Sequence, residues 1–492
     1  MTQRWLRTAR WPEQAEAAPA RGAGAAPYRG GDAMDVTLKG PFIALADQKE
    51  TIAARGDTLG ELLEAVAQAE PGLGRRMFTA QGAIAPELDV RVNGVDARLL
   101  GGVKAALLPQ DSVVLAPYPL EPMTPRQAER YARQMILGEI GAAGQARLTA
   151  ARVAVIGAGG LGAPAATYLA AAGVGHLVII DGDRVERSNL QRQPLHRDED
   201  VGRPKAESAA RSLRAINPDI EVIAVEEFLA ADNALELLRG CDVIVNGSDN
   251  FPTRYLVSDA AVLLGRPLVD ASILRFEGRL SVYLPRQGCY RCLFPEPPPP
   301  GSVPSCAEAG VIGALGGQMG SLQALETIKL ITGAGESLGG RLLVYDALMG
   351  EERRFRLRRD PHCAACGDHP TLTELVDYEA FCGVEAPREA QEGLGIPVPE
   401  ALALREDPRV QWLDVRAQGA VDRPTIPGAL RLPLEELGSG EALDGARPVV
   451  VFCEIGRRSL LAAERLMRHG IDARSLEGGI VAWTAAGLDL TC

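Results

Sequence analysis

The sequence predicts an α/β protein of several domains, and three observations carry that reading. Across residues 126–369, apolar strands ("RVAVIGAGG", "HLVIID", "IEVIAVEE", "CDVIVNGSDN", "RPLVDASI") alternate with helical segments, the pattern of a mostly parallel sheet covered on both faces. The first of these strands runs straight into a glycine-rich turn, the Rossmann-like order of strand, turn and helix. Residues 397–492 hold another apolar strand, "VVVFC", that again leads through a short loop into a helix. A chain of 492 residues exceeds what one hydrophobic core covers, so about two to four domains are expected.

Taken in order, residues 1–33 have no apolar leader segment, and "EQAEAAPARGAGAAPYRGGDA" is too poor in large apolar groups to build a core. A disordered extension is expected there, with Met34 an alternative start. Residues 34–118 read as a small α+β domain. Its parts are a strand "MDVTL", an amphipathic helix capped by Asp57 or Thr58, a hairpin turning at Asn93-Gly94, and a closing strand "DSVVLAPY". The proline-marked "PYPLEPMTP" links it to the large α/β domain, residues 123–369. Residues 370–396 are acidic with glycine and proline and are expected to be a linker, and 397–492 form the last α/β domain.

Composition removes several functions. The net charge of −12 argues against nucleic-acid binding, which needs a basic surface. No apolar run is long enough to span a membrane. Nine cysteines in this length are no disulfide scaffold, so a reducing cytoplasmic location is expected, where cysteine more often means metal or catalysis.

Gly157, Gly159 and Gly162 satisfy G-x-G-x-x-G, which lets phosphate approach a helix N-terminus; Asp181, ending the next strand, suits a ribose hydroxyl. Both features fit a nicotinamide dinucleotide and ATP alike. Downstream, "SNLQRQ" supplies Ser188, Asn189 and Arg192, and "VGRPKAES" supplies Lys205, a cation cluster suited to a triphosphate. Lys205 is one of only five lysines among 52 basic residues, which favours a specific point charge there. "NGSDN" puts Asp249 and Asn250 at the C-terminal end of a strand, where an acid can hold Mg²⁺ against phosphate.

Two C-x-x-C pairs, Cys289/Cys292 and Cys363/Cys366, suit tetrahedral sulfur ligation of a structural Zn²⁺, with four unligated thiols as the alternative. Cys453 follows an apolar strand and opens a helix, where backbone N–H groups favour an anionic sulfur. A cysteine-dependent phosphatase would carry arginine six positions on, but that residue is Ser459. Arg458 instead comes five on, giving a smaller loop suited to a sulfane sulfur. Cys306 lies in a proline-rich loop, Cys241 reads as core, and Cys382 and Cys492 sit in no motif.

"RYARQMIL", "GAGGLG", "DGD", "NLQRQ", "VGRPK" and "SDN", in this order, resemble the MoeB/ThiF family of ubiquitin-activating-type enzymes, nearly continuously over 126–369. The resemblance implies adenylation, by ATP with Mg²⁺, of the C-terminal glycine of a ubiquitin-like sulfur-carrier protein ending in Gly-Gly. It implies that Gly160, Asp181, Asn189, Arg192, Lys205, Asp249 and Asn250 contact ATP, that the four paired cysteines hold zinc, and that Arg133 reaches the partner subunit's site in a homodimer. "LDVR" before Cys453 and "GGIVAW" after it make 397–492 similar to a rhodanese, in which Cys453 carries a persulfide loaded from thiosulfate or a cysteine desulfurase. Cys306 matches the cysteine that attacks the activated carboxyl or resolves the persulfide. The implied product is a thiocarboxylate for molybdopterin synthesis, with thiamine, tRNA thiolation or a sulfur-containing secondary metabolite as alternatives. An NAD-dependent oxidoreductase or a non-catalytic scaffold are more distant readings. Residues 34–118 resemble the MoaD/ThiS type of ubiquitin-like (β-grasp) carrier, but Gly101-Gly102 precedes the last strand, so a docking or stabilising role is expected of this domain.

Overall fold

In the computed structural model, the described residues are 33–80, 82–119, 122–298, 310–382, 394–416, 424–438, 440, 442–453 and 456–491. They fall into two compact units, one within Pro12–Pro297 and Val311–Phe381, the other within Cys382–Cys492 together with Pro298 and Gly310. Among them no helix is long and apolar enough to cross a membrane.

The first strands of the larger unit are β1 (Met34–Leu38), β2 (Thr51–Ala54), β3 (Leu88–Val92), β4 (Val95–Asp96) and β5 (Val113–Pro117). They make a mixed sheet of order β2-β1-β5-β3-β4, with β1 parallel to β5 and the other pairs antiparallel. Helix α1 (Leu59–Ala69) starts at Thr58, whose hydroxyl accepts from the Glu61 N–H while Glu61 reaches back to the cap N–H. The cap fixes the helix start, and Leu59, Leu62, Leu63 and Val66 then line one buried face against the sheet. Asn93 and Gly94 take positive φ (51° and 81°), as a two-residue turn between Val92 and Val95 requires. Gly101 and Gly102 lie in a turn before β5, not at a chain end.

The larger sheet holds β6 (Arg152–Ile156), β7 (His176–Ile180), β8 (Glu221–Val225), β9 (Val243–Asn246), β10 (Leu268–Leu274), β11 (Glu277–Tyr283), β12 (Arg341–Asp346) and β13 (Glu351–Arg356). Its order is β13-β12-β11-β10-β9-β6-β7-β8. The run from β8 to β10 is parallel, and β11 to β13 close it antiparallel. The apolar runs follow from burial on both faces; four of the five residues of β7 are buried. From β6 the chain winds to one side through β7 and β8, then crosses to β9 on the other. Parallel sheets bind ligands at such a switch, beyond the C-terminal strand ends. The helices that matter here are α2 (Pro125–Met135), α3 (Gly141–Ala150), α4 (Gly162–Ala172), α5 (Lys205–Ile216), α6 (Phe251–Leu264) and α7 (Gly313–Thr332).

The small sheet is fastened to this domain by a buried arginine, Arg147, whose partner carbonyl at Leu88 is shared with a second one inside the small domain, Arg98. Arg147 on α3 donates to Asp96 (2.6 Å) and to the carbonyls of Leu88 and Pro86, and stacks 3.7 Å from the centre of the Tyr118 ring. Arg98 donates to the carbonyls of Ala85 and Leu88. Burial, then the neighbouring Arg98, pulls the Arg147 guanidinium down to about 10. Arg286 pairs with Asp111, and Leu99 joins the hydrophobic core of the large sheet. Residues 370–381, expected to form a linker, stay on the first unit. Tyr378 is buried there, donating its hydroxyl to Asp259, and the Phe381 ring packs on Tyr255.

In the second unit, β14 (Gly395–Ile396), β15 (Gln411–Asp414), β16 (Leu430–Arg431), β17 (Val449–Phe452) and β18 (Ala473–Leu476) form an all-parallel sheet of order β14-β18-β17-β15-β16. Helix α8 (Arg457–Arg468) follows β17, and apolar clusters cover both faces of the sheet.

Replacing Arg147 by Met should strip a charged partner from Asp96 and a donor from the Pro86 and Leu88 carbonyls, and cost about 3 kcal/mol. The expected result is an earlier first transition in urea unfolding; an unchanged unfolding curve would contradict the arginine-fastened interface.

Candidate functional site

Strand β6 ends at Ile156, and Gly157 turns the chain at φ +84°, its N–H donating to the Ile180 carbonyl. A Cβ on Gly162, the first residue of α4, would lie 1.7 Å from the Gly157 oxygen, and one on Gly247 would lie 2.7 Å from the Gly162 nitrogen. Three backbone segments therefore meet where no side chain fits. Gly159 and Gly160 are different. Neither has positive φ, and a Cβ on either would meet only ordinary contacts, at 3.5 and 3.6 Å. The fold does not demand these two glycines, and their absent side chains leave the backbone open to approach. Nearby, the buried Ser248 hydroxyl and Gln193 side-chain oxygen have no hydrogen-bond partner among the described residues. The serine hydroxyl can donate to a phosphate, and the amide oxygen can accept from a hydroxyl or amine of a polar ligand.

Asp181 ends β7 beside this turn. Its carboxylate accepts from the Ala158 N–H (2.7 Å) and the Asp183 N–H (2.8 Å), and burial raises its pKa. Lys205 begins α5, is 7% exposed, and donates to Asp183 at 2.8 Å. Ser188 donates to Glu186, Asn189 is buried with its oxygen accepting from the Glu186 N–H, and Arg192 donates to the Ser188 carbonyl. The Arg192 side chain is also the nearest neighbour of Gly160. Asp249 lies exposed beyond β9, and the Asn250 side chain caps α6 by accepting from the Thr253 N–H. The glycines, Asp181, Arg192, Lys205 and Asp249 thus belong to segments that converge on the switch between β6 and β9. Arg133 is not brought there. It is exposed on α2, whose Gln134 donates to the Ala172 carbonyl at the far end of α4, about 16 Å of helix from the turn.

Four features of this site carry no motif in the sequence. Gly313, Gly316 and Gly320 of α7 present a stripe on which a Cβ would strike the Gln191, Gly160 and Leu161 carbonyls at 2.4, 2.7 and 2.3 Å. Only their i, i+3, i+7 spacing hints at a helix pressed against a loop. Buried Arg254 holds Asp270 with both oxygens and donates to the Ser248 carbonyl, which fixes the segment before Asp249. Buried His196 donates from Nε2 to the Ala158 carbonyl and accepts the Ser208 hydroxyl at Nδ1, bracing the turn from behind. Phe228 stands 68% exposed beyond β8.

The four paired thiols meet in space. The Sγ atoms of Cys289, Cys292, Cys363 and Cys366 lie within 4.8 Å of one another; Cys289 and Cys363 are 3.6 Å apart, and Cys292 and Cys366 3.3 Å. Thiolates on a tetrahedral zinc with ~2.3 Å bonds sit about 3.8 Å apart, so the cluster fits such an ion after a small expansion. The Asp360 N–H donates to the Cys292 sulfur, and buried Arg291, between the first pair, grips Asp259 of α6. The cluster can therefore bind a metal and clamp two segments distant in sequence.

In the second unit Cys453 is 1% exposed at the end of β17. Its sulfur accepts from the Gly456 N–H (3.2 Å) and the Ser459 hydroxyl (3.6 Å), just where α8 begins. Asp414 and Arg416 do not point to chemistry. They form a buried two-toothed pair, with Thr425 donating to Asp414 and Arg416 to the Pro424 carbonyl. Cys241 is fully buried, and burial raises its pKa, as a core thiol requires. Cys306 and Cys492 lie outside the described residues.

Comparison with known proteins gives two matched domains: the ThiF family over residues 131–365 and the rhodanese-like domain over 398–486. The chain is 43% identical over 426 residues to the mouse (Mus musculus) adenylyltransferase and sulfurtransferase MOCS3, spanning 79% of this chain and 92% of the relative. It is 48% identical over 377 residues to the probable adenylyltransferase/sulfurtransferase MoeZ of Mycobacterium tuberculosis, covering 74% and 95%. A sulfur carrier protein adenylyltransferase of Thermus thermophilus is 55% identical over 267 residues, 53% of this chain and 98% of the relative.

Burial lowers the pKa of His196 from its ordinary 6.5, so the folded chain binds fewer protons than the unfolded one just below that value. Stability from this group is present above about pH 6.5 and is lost as the pH falls below it. A His196→Asn variant should show a flatter fall in melting temperature between about pH 7 and 5; parallel profiles for variant and parent would contradict the buried neutral histidine.

Proposed function

The chain belongs to the family of ThiF-plus-rhodanese adenylyltransferase–sulfurtransferases, and from that premise we propose how its own residues carry out the two reactions. The enzyme is an adenylyltransferase and a sulfurtransferase. Its substrate is read as a separate ubiquitin-like sulfur carrier with a C-terminal Gly-Gly, and its product as the carrier's thiocarboxylate, destined for molybdopterin synthesis. The observation that carries this reading is the pair of bare glycines, Gly159 and Gly160, at the sheet's switch point, ringed by Asp181, Arg192, Lys205 and Asp249.

In this reading the turn and the N-terminus of α4 cradle the ATP phosphates, Arg192 and Lys205 neutralise their charge, and Asp181 holds the ribose. Asp249 would hold the Mg²⁺ that accompanies ATP. Lys205 donates to Asp183 before nucleotide arrives, so the lysine is held pointing along the site by its neighbour. Asn189 and Ser188 shape the loop that carries Arg192, and Asn250 sets the start of α6 beside Asp249. The carrier's terminal carboxylate attacks the α-phosphorus, the bond to the β-phosphate oxygen breaks, and pyrophosphate leaves. A carboxylate needs no general base, so catalysis is positioning and charge stabilisation.

Sulfur then comes from Cys453. Its sulfur faces the Gly456 N–H at the start of α8, an environment that stabilises the outer anionic sulfur of a persulfide. That sulfur attacks the acyl carbon and AMP leaves; a thiol, assigned by resemblance to Cys306, then attacks the Cys453 sulfur and releases the thiocarboxylate as a disulfide forms. The four clustered cysteines would hold Zn²⁺, whose contribution is to fix the strap after β11 to the segment at 359–368. A homodimer, with Arg133 serving the partner subunit's site, accounts for that arginine's place away from its own nucleotide turn.

Asp249→Ala should lower carrier-dependent ATP–pyrophosphate exchange by about 100-fold or more, the scale of removing one charged transition-state group. Cys453→Ser should leave that exchange intact and abolish thiocarboxylate formation. Unchanged exchange in the first variant, or normal thiocarboxylate yield in the second, would contradict the assignment.

A further inference from the structure

The end of β17 holds more than a sulfur. Cys453 belongs to an apolar cluster with Val451, Ala462, Ala463 and Leu466, yet two serine hydroxyls are buried beside it. Ser459 (0% exposed) comes from the first turn of α8, and Ser475 (2%) from β18, where it lies opposite Val451 of β17. The Ser459 Oγ is 2.8 Å from the Ser475 Oγ, 3.0 Å from the Gly456 carbonyl oxygen and 3.6 Å from the Cys453 sulfur. The Ser475 Oγ is 3.3 Å from the same carbonyl. A hydroxyl buried among apolar groups costs free energy unless it is hydrogen-bonded, and these two bond each other and one loop.

Each hydroxyl has one proton to give and can accept twice, so the two protons have two arrangements. With Ser459 donating to the Gly456 carbonyl, Ser475 donates to Ser459, and nothing from the pair reaches the sulfur. With Ser459 donating to the sulfur, Ser475 stays on Ser459 or takes over the Gly456 carbonyl, which also keeps the Leu460 N–H at 3.1 Å. Turning the Ser459 proton therefore orphans no acceptor. The first arrangement suits an uncharged sulfur. The second suits an anion, because a hydrogen bond to an ionised acceptor is about twice as strong as a neutral one, and a donor that itself accepts is polarised further. A serine in the first turn of a helix needs only the Gly456 carbonyl. Ser475, reaching in from another strand, is what that role leaves unexplained.

We propose that Ser459 is a further catalytic residue of sulfur loading and Ser475 its positioning residue. The Ser459 hydroxyl turns to the Cys453 sulfur while that sulfur is the attacking thiolate, and back to Gly456 once the charge has moved outward. The inference rests on the reading of Cys453 as the persulfide carrier. With thiosulfate, the thiolate attacks the outer sulfur, the bond from that sulfur to the sulfonate sulfur breaks with its electron pair, and sulfite leaves. The charge of the former thiolate then sits on the outer sulfur of the persulfide.

The test follows alkylation of Cys453 by iodoacetamide in the full chain, read by peptide mass spectrometry, together with uptake of one sulfur from thiosulfate. Ser459→Ala should slow both by about tenfold, the scale of losing one hydrogen bond to a charged group. Ser475→Ala, which does not touch the sulfur, should slow them by about threefold. The double variant should be no slower than Ser459→Ala alone, since Ser475 acts through Ser459. Unchanged alkylation in Ser459→Ala would overturn the proposal. So would losses in the two single variants that multiply in the double, the mark of two independent packing defects. A parent chain that takes up no sulfur from thiosulfate or from a cysteine desulfurase supplied with cysteine would overturn the persulfide reading of Cys453 itself, whatever the serine variants do.

Discussion

The contact among Gly157, Gly162 and Gly247 is the constraint on which the larger unit depends. A single methyl group at 162 would need to share space with the Gly157 carbonyl, 1.7 Å away, so the exit of β6, the entry of α4 and the exit of β9 are locked into one backbone cluster. That lock places the N-terminus of α4 at the switch in strand order and presents Gly159 and Gly160 outward. Helix α7 then seats its own glycines on the Gly160 and Leu161 carbonyls, and His196 holds the Ala158 carbonyl from the other side. The turn is therefore braced on both sides by backbone and side-chain contacts, as the proposed catalysis by positioning would need.

The two units answer a similar physical problem in the same way. In each, an apolar parallel strand delivers the chain to a short loop, and a helix begins immediately after it. At β6 and α4 the loop carries no side chain at Gly157, Gly159 or Gly160, which leaves backbone open to an anionic ligand. At β17 and α8 the loop keeps one buried sulfur, which already accepts N–H and O–H donors from Gly456 and Ser459. The first arrangement suits an anion brought in by a ligand, the second an anion carried covalently on the protein.

Features carried by spacing were legible in the sequence. The glycine turn, Asp181 at a strand end, Asn93-Gly94, the two C-x-x-C pairs and the strand-to-helix setting of Cys453 are local patterns, and each is found in the expected element. What stayed hidden depends on chain segments that meet only on folding. No local pattern marks Arg147 or Arg98, and only folding brings Arg147 on α3 against the carbonyls of Leu88 and Pro86. Arg254 and Asp270 are 16 residues apart and announce nothing as a pair. "LDVR" marks the resemblance to a rhodanese, but nothing local tells that its acid and arginine satisfy each other in the core. Phe228 has no periodic partner, and its place beside Asp181 comes from the pairing of β7 with β8.

The account holds that one chain first turns a carrier's carboxylate into an acyl-adenylate and then exchanges AMP for sulfur. Intact-mass spectrometry of a Gly-Gly carrier incubated with the enzyme tests this most directly. With ATP and no sulfur donor, the account predicts a carrier species heavier by one adenylate; adding thiosulfate should convert it to carrier with one oxygen replaced by sulfur. Thiocarboxylate formed without ATP, or no adenylated species in the absence of a donor, would contradict it.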